Sequence, residues 1–136
     1  HAERYMQVRC LDALAEMALL QGDAPRCRTM ADELLHIADA NGLRELQTVA
    51  RRWRSEALLH EQAFAPALDE LTQAVALAEP LGRVRLMLDL QRALALCHEQ
   101  QGQVAAAEPH HARARALAQG IEASLEGSGL LARLDR

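Results

Sequence analysis

Lysine is missing from this chain altogether: all 15 basic residues are arginine. That excludes a G-x-x-x-x-G-K-[ST] phosphate loop, whose lysine reaches the phosphates of a nucleotide. With the abundant alanine it points to a GC-rich bacterial coding sequence. Aromatic residues are almost as scarce, at 2%, with only Tyr5, Trp53 and Phe64 present. A core must then be built from Leu and Ala, which suits close helix–helix contact and suits a sheet poorly. Cysteines are few and unclustered: Cys10, Cys27 and Cys97 show no metal-site spacing, and their odd number argues against a disulfide framework. We read them as small buried residues in a reducing compartment. No apolar run approaches the roughly 18 residues of a membrane span, and no signal-peptide pattern opens the chain. The expected location is cytoplasmic, with no membrane contact. The first residue is His1, so a piece of something larger is expected.

Half of the 136 residues are apolar and the net charge is −4, both signs being mixed along the chain. An extended nucleic-acid footprint is therefore not expected, and no basic recognition helix of a helix-turn-helix stands out. What the chain does have is a beat. Glycine recurs at Gly22, Gly42, Gly82, Gly102 and Gly120, and Gln62–Ala63 falls where one more belongs. The stretches between are apolar at helical spacing, which predicts helices over Glu3–Gln21, Pro25–Asn41, Leu43–Glu61, Pro66–Glu79, Val84–Gln101 and Val104–Gln119. Prolines at Pro25 and Pro66 suit first turns. Pro109 lies inside the last span, so that helix either starts near Glu108 or is kinked. The first helix is expected to turn Met6, Cys10, Leu11, Leu14, Ala15, Ala18 and Leu19 inward.

Two helices make a unit of 40 residues, and laying the units over one another tests it. Cys27, Ala67 and Ala107 coincide, as do Leu34, Ala74 and Ala114, then Ile37, Leu77 and Leu117, then Ala38, Ala78 and Ala118. Small residues at matched places let helices approach closely. The expected fold is all-α, a superhelical solenoid of antiparallel helix hairpins with about six to seven helices. Its repeats would span 3–42, 43–82 and 83–120, with 121–136 a partial helix or tail.

A small residue near the end of the first helix, a turn glycine, and small residues five and twelve positions later resemble the tetratricopeptide pattern, without most of its aromatic signature. The phrases Ala74-Val75-Ala76-Leu77-Ala78-Glu79-Pro80-Leu81-Gly82 and Leu94-Ala95-Leu96-Cys97-His98-Glu99-Gln100-Gln101-Gly102 resemble the long-repeat helical domain of MalT-type regulators, large bacterial LuxR-family transcription activators. That resemblance covers roughly residues 5 to 120. It implies an effector-sensing or partner-binding segment that controls self-association of its parent. The parent's nucleotide-binding and DNA-binding motifs do not carry over. A free-standing adaptor holding a partner-protein peptide is the other reading.

In a tetratricopeptide stack the first helix of each hairpin lines the groove. The 15/55/95 register then places Asp12 and Glu16, Arg52, Trp53, Glu56 and His60, and Asp89, Arg92 and Glu99 on that face. Arg52 and Arg92 are repeat equivalents, so with Trp53 they would hold a carboxylate, phosphate or sugar by paired hydrogen bonds and stacking. The plainer alternative makes Trp53 core and pairs the arginines with Glu56 or Glu99. In that helix the apolar stripe Leu46, Val49, Ala50, Trp53 and Ala57 turns Arg51 and Arg54 outward, so its phase is open by one residue.

His98, His110 and His111 read as surface histidines, since adjacent residues on a helix point about 100° apart and do not readily share an ion. No metal and no cofactor are expected. Catalysis is not expected either, because acids such as Asp69-Glu70 are helix-surface charges and no nucleophile–base pair has its turn context. The apolar runs Leu86-Met87-Leu88 and Leu130-Leu131 suggest that a terminal repeat pairs with a copy of itself.

Overall fold

The structure is a computed structural model, and it describes residues 2–129. It is all-helical among those residues: α1 (Ala2–Leu20), α2 (Ala24–Asn41), α3 (Arg44–His60), α4 (Phe64–Ala78), a short 3₁₀ turn (Glu79–Leu81), α5 (Val84–Gln100) and α6 (Val104–Gly127). The helices fall in two compact units, one ending at Gly82 and the other starting at Arg83. The division falls on the predicted boundary between the second and third repeats.

Local chemistry sets the boundaries. Asp23 caps α2 by accepting the Arg26 amide at 3.1 Å, and Pro25 sits in the first turn where its missing N–H costs nothing. Four helices stop in the same way. The amide of residue 22, 42, 62 or 102 reaches back three residues, and the next amide reaches back five, to Ala18, Ala38, Leu58 and His98 at 2.8–2.9 Å. This paired closure needs a left-handed residue just past the helix. Glycine supplies it at 22, 42 and 102, and Gln62 supplies it at φ 58°. Gly82 has φ 64° as well, so the left-handed position recurs every twenty residues without a gap. The beat was complete all along; its third stroke is a glutamine.

In the first unit α1 packs on α2, α2 on α3 and α3 on α4, with α1 also touching α3. Leu11, Ala15, Ala18, Cys27, Ala31, Leu34, Ala50, Trp53 and Ala57 form its apolar centre. Ala15 and Ser55, one repeat apart, are fully buried, and so are Cys27 and Ala67. A larger side chain at any of these would push the helix axes apart. Residues 25–40 of α2 and 65–80 have the same sequence of buried, half-buried and exposed positions throughout. The inward set expected for α1 needs correction. Met6 and Cys10 lie outside, Met6 at 58% exposure, because the core side of α1 is already filled by Val8, Leu11, Ala15 and Ala18.

In the second unit α5 packs on α6. On α5, Met87, Leu88, Leu90, Leu94, Ala95 and Cys97 are buried. Leu86-Met87-Leu88 is therefore mostly core and not an open apolar end. Leu130-Leu131 lies outside the described residues. α6 starts at Val104 and passes through Pro109, and it also passes through Gly120, where a stop was expected. Gly120 keeps a helical backbone, and the stripe Leu117, Ile121, Leu125 continues beyond it beside Val84. Partial burial of that stripe offsets the ~1 kcal/mol that a helical glycine costs relative to alanine. The positive-φ stop comes at Gly129. Residues 121–127 are thus part of α6 and not a separate tail.

Candidate functional site

Three of the residues expected to line a groove meet in the first unit. The Trp53 indole N–H on α3 donates to Asp12 Oδ1 on α1 at 2.6 Å, and the Arg52 guanidinium lies 4.6 Å from the Trp53 ring centroid. The ring is only 5% exposed, so Trp53 is a core residue and not an open stacking platform. Its phase in α3 is settled by this contact. Arg51 and Arg54 then lie along the seams of α3 with its neighbours. Arg51 Nη1 pairs with Glu70 Oε2 at 2.9 Å, while Arg54 reaches Asp32 at 3.3 Å and Glu70 at 3.4 Å. Thus the long side chains bridge to α2 and α4, and the flat indole turns toward α1.

Other predicted residues are spread more widely. Glu16 and His60 are exposed, and Glu56 is half-buried. Glu56 acts at a distance on the Cys27 thiol, which burial first, and this carboxylate second, push up to about 11. That thiol donates to the Trp53 carbonyl at 3.6 Å. Asp89, Arg92 and Glu99 belong to α5 in the second unit, where Arg92 is exposed and Glu99 pairs with the His111 ring of α6. Arg52 therefore lies in the first unit and Arg92 in the second.

Beside Asp12 the first unit carries a concavity of about 530 Å³ between α1 and the start of α3. Its floor is Val8, Leu46 and Val49, with Tyr5 and Leu43 as walls and Arg4, Arg9, Asp12 and Glu45 at the rim. The volume lies in the range of small-molecule sites, and an apolar floor with a few polar groups at the edge is their usual chemistry. The rim is ordered by its own contacts. Arg9 Nη1 donates to the Tyr5 hydroxyl at 3.1 Å, which also holds Arg9 further in its charged form, and Arg4 Nη1 donates to Asn41 Oδ1 at 2.7 Å. Asp12 shares one carboxylate oxygen with Trp53, so the site connects directly to the core. Sequence reasoning found Asp12 but missed Arg4, Tyr5 and Arg9. The available signal was one of the three aromatics flanked by arginines.

A second polar cluster joins α5 and α6. His98 and His110 stack with centroids 5.5 Å apart and planes 7° from parallel. His110 Nδ1 donates to Gln91 Oε1 and His98 Nδ1 to Gln103 Oε1, both at 2.8 Å. Burial lowers the His110 pKa, and the neighbouring His98 and His111 lower it further. Sequence reasoning took these histidines as independent surface residues, yet two of them meet across the hairpin. No group of three or more metal-ligand side chains is drawn together among the described residues. None of the described helices is long and apolar enough to cross a membrane. Comparison with family models, with curated proteins and with solved structures finds no match for this chain.

Proposed function

We propose that this chain is a non-catalytic interaction segment built of tetratricopeptide-like hairpins, with a site for an effector or partner on the first helices of its hairpins. The observation that carries this reading is the concavity between α1 and α3, apolar at its floor and arginine-rimmed, on the helix pair that a tetratricopeptide stack turns toward its groove. The unbroken twenty-residue recurrence of left-handed turns supports the repeat architecture. On this reading the 40-residue hairpins form a solenoid, and the chain serves as the sensing and self-association part of a bacterial LuxR-family regulator of the MalT type. A free-standing adaptor would use the same concavity for a peptide. The parent gene separates the two: a nucleotide-binding loop upstream and a helix-turn-helix downstream belong only to the regulator.

The site is tested with the chain's single tryptophan as reporter. Trp53 shares Asp12 with the concavity, so occupancy changes its emission. Anilinonaphthalene sulfonate, an apolar anion, is the probe, titrated against the native chain, Val49→Glu, Arg4→Ala and Arg92→Ala. Binding weakened about tenfold or more by the first two, and unchanged by the third, is expected, a difference of about 1.4 kcal/mol. Equal affinity in all four proteins places the site elsewhere.

A further inference from the structure

The outer side of α1 carries an apolar stripe that nothing in the first unit covers. Met6, Cys10, Ala13, Met17 and Leu20 are all exposed, Met17 at 52% and Leu20 at 81%. They are spaced 4, 3, 4 and 3 residues apart, which is the alternation of a coiled-coil seam. The stripe is distinct from the Val8, Leu11, Ala15 and Ala18 side, which packs into the core. Register with the next repeat adds a second observation. One repeat on, the positions matching Cys10, Ala13 and Met17 are Ala50, Trp53 and Ala57, all buried in α3. The face left open on α1 is the one the repeat uses for packing.

Charge at the edge of the stripe selects its occupant. Arg9 and Glu16 stand seven residues apart along one edge, and the other edge holds the uncharged Gln7, Leu14 and Gln21. In a parallel pair each edge meets the opposite one, so Arg9 and Glu16 would face Leu14 and Gln21. In an antiparallel pair like edges meet. Sliding two antiparallel copies so that Met6 meets Met17 and Cys10 meets Ala13 puts Arg9 of each against Glu16 of the other, twice over. The next antiparallel register sets Glu16 against Glu16. Small side chains at the centre, Cys10 and Ala13, also allow the two helices to approach closely.

We propose that α1 is a self-pairing surface, on which a second copy of this chain docks antiparallel about a two-fold axis through the Met6–Met17 seam. This goes beyond the concavity site and gives a surface to the self-association that the proposed function includes. A single helix pair buries less than the ~1,600 Å² of a standard interface, so a weak, transient dimer is expected.

Sedimentation equilibrium on the purified chain tests this, with circular dichroism to verify helicity of each variant. The native chain is expected to be a weak dimer and Met17→Glu a monomer. Arg9→Glu and Glu16→Arg should each raise the dissociation constant about tenfold, and Arg9→Glu/Glu16→Arg should restore it. The double variant isolates the charge argument even where Met17→Glu lowers helicity. A native chain that is monomeric throughout overturns both this pairing and the self-association of the proposed function. A dimer indifferent to Met17→Glu and to the charge reversals overturns the α1 surface alone.

Discussion

Residues 51 and 70 in the first unit and residues 91 and 110 in the second occupy the same two places, forty residues apart, and clasp their hairpins with different chemistry. Arg51 and Glu70 form an ion pair at 2.9 Å between α3 and α4; Gln91 and His110 form a neutral hydrogen bond at 2.8 Å between α5 and α6. The equivalent positions in α1 and α2 are Leu11, buried in the apolar core, and Met30, half-buried against that core. Three hairpins thus fill one pair of positions with a salt bridge, an imidazole–amide bond and two apolar side chains. By contrast, the small-residue sites Ala15/Ser55/Ala95 and Cys27/Ala67/Ala107 stay small throughout. Where backbones approach closely, volume is dictated and chemistry follows it. Where two side chains meet at a seam, any complementary pair of suitable length serves, and the hairpins become free to respond differently to salt and pH.

The most forceful way to break this comparison is to remove one partner of the ion pair. Glu70 also takes Arg54 at 3.4 Å, and its side chain is only 12% exposed. Glu70→Gln leaves Arg51 without its carboxylate and Arg54 with Asp32 alone in a half-buried seam, which should cost about 2–3 kcal/mol, below the value for a fully buried pair. Arg51→Leu/Glu70→Met installs the chemistry of the first hairpin and should recover most of that loss, since a well-packed apolar pair commonly replaces a buried ion pair without penalty. Urea unfolding of both variants gives the comparison. If the double variant is as unstable as the single one, the two seams are not interchangeable and the forty-residue equivalence is only geometric.

The neutral clasp makes a smaller and signed prediction. Burial, with His98 and His111, lowers the His110 pKa below its ordinary 6.5 in the folded chain. The unfolded chain then binds the proton more readily. Stability from this group is full above 6.5 and is lost as pH falls from there through the folded value. The groups facing it are Gln91 from α5 and the stacked His98, while Glu99 pairs with His111. Urea midpoints should therefore drop between about pH 8 and about pH 5. Gln91→Arg/His110→Glu transplants the ion pair of the first unit and should flatten that drop. A slope unaltered by the transplant would move the acid sensitivity to other groups.

These outcomes bear on what sequence could and could not reveal. Helix number and most boundaries were legible because caps and left-handed turns are local. Asp23 and Pro25 announce α2, and the glycines announce four of the turns at twenty-residue spacing. Matched small residues revealed the repeat for the same reason, since Cys27, Ala67 and Ala107 answer to backbone distance alone. The long side chains were harder. Whether Trp53 faces solvent or Asp12, and whether Arg51 reaches Glu70, depends on which helix lies across the seam, and one residue of phase changes the answer. Hence the candidate groove yielded Asp12, Trp53 and Arg52 as a connected set, but with Trp53 in the core. The Tyr5–Arg9 rim was missed because an exposed aromatic beside arginines reads the same with or without a concavity behind it. Gly120 misled because glycine permits a stop without requiring one.

The smallest effect belongs to the stroke of the beat that is not glycine. Gln62 sits at φ 58°, and its amide and that of Ala63 bond to Leu59 and Leu58 at 3.0 and 2.9 Å, as the corresponding amides do at Gly22 and Gly102. A side chain in this conformation crowds its own carbonyl and costs about 1 kcal/mol, which glycine avoids. Against this, glycine gives the unfolded chain more freedom, which offsets much of that relief, and the net gain from Gln62→Gly should be about 0.5 kcal/mol at most. Gly102→Gln should lose a similar amount in the second unit. Gln62 is exposed, so its side chain offers little to forfeit on replacement. Measured in parallel by urea unfolding, the two exchanges should be nearly equal and opposite if the turns of the two units are the same closure. A loss of stability on Gln62→Gly would instead mean that the glutamine side chain makes a contribution of its own at this turn, and that the repeat tolerates the strain there for that contribution.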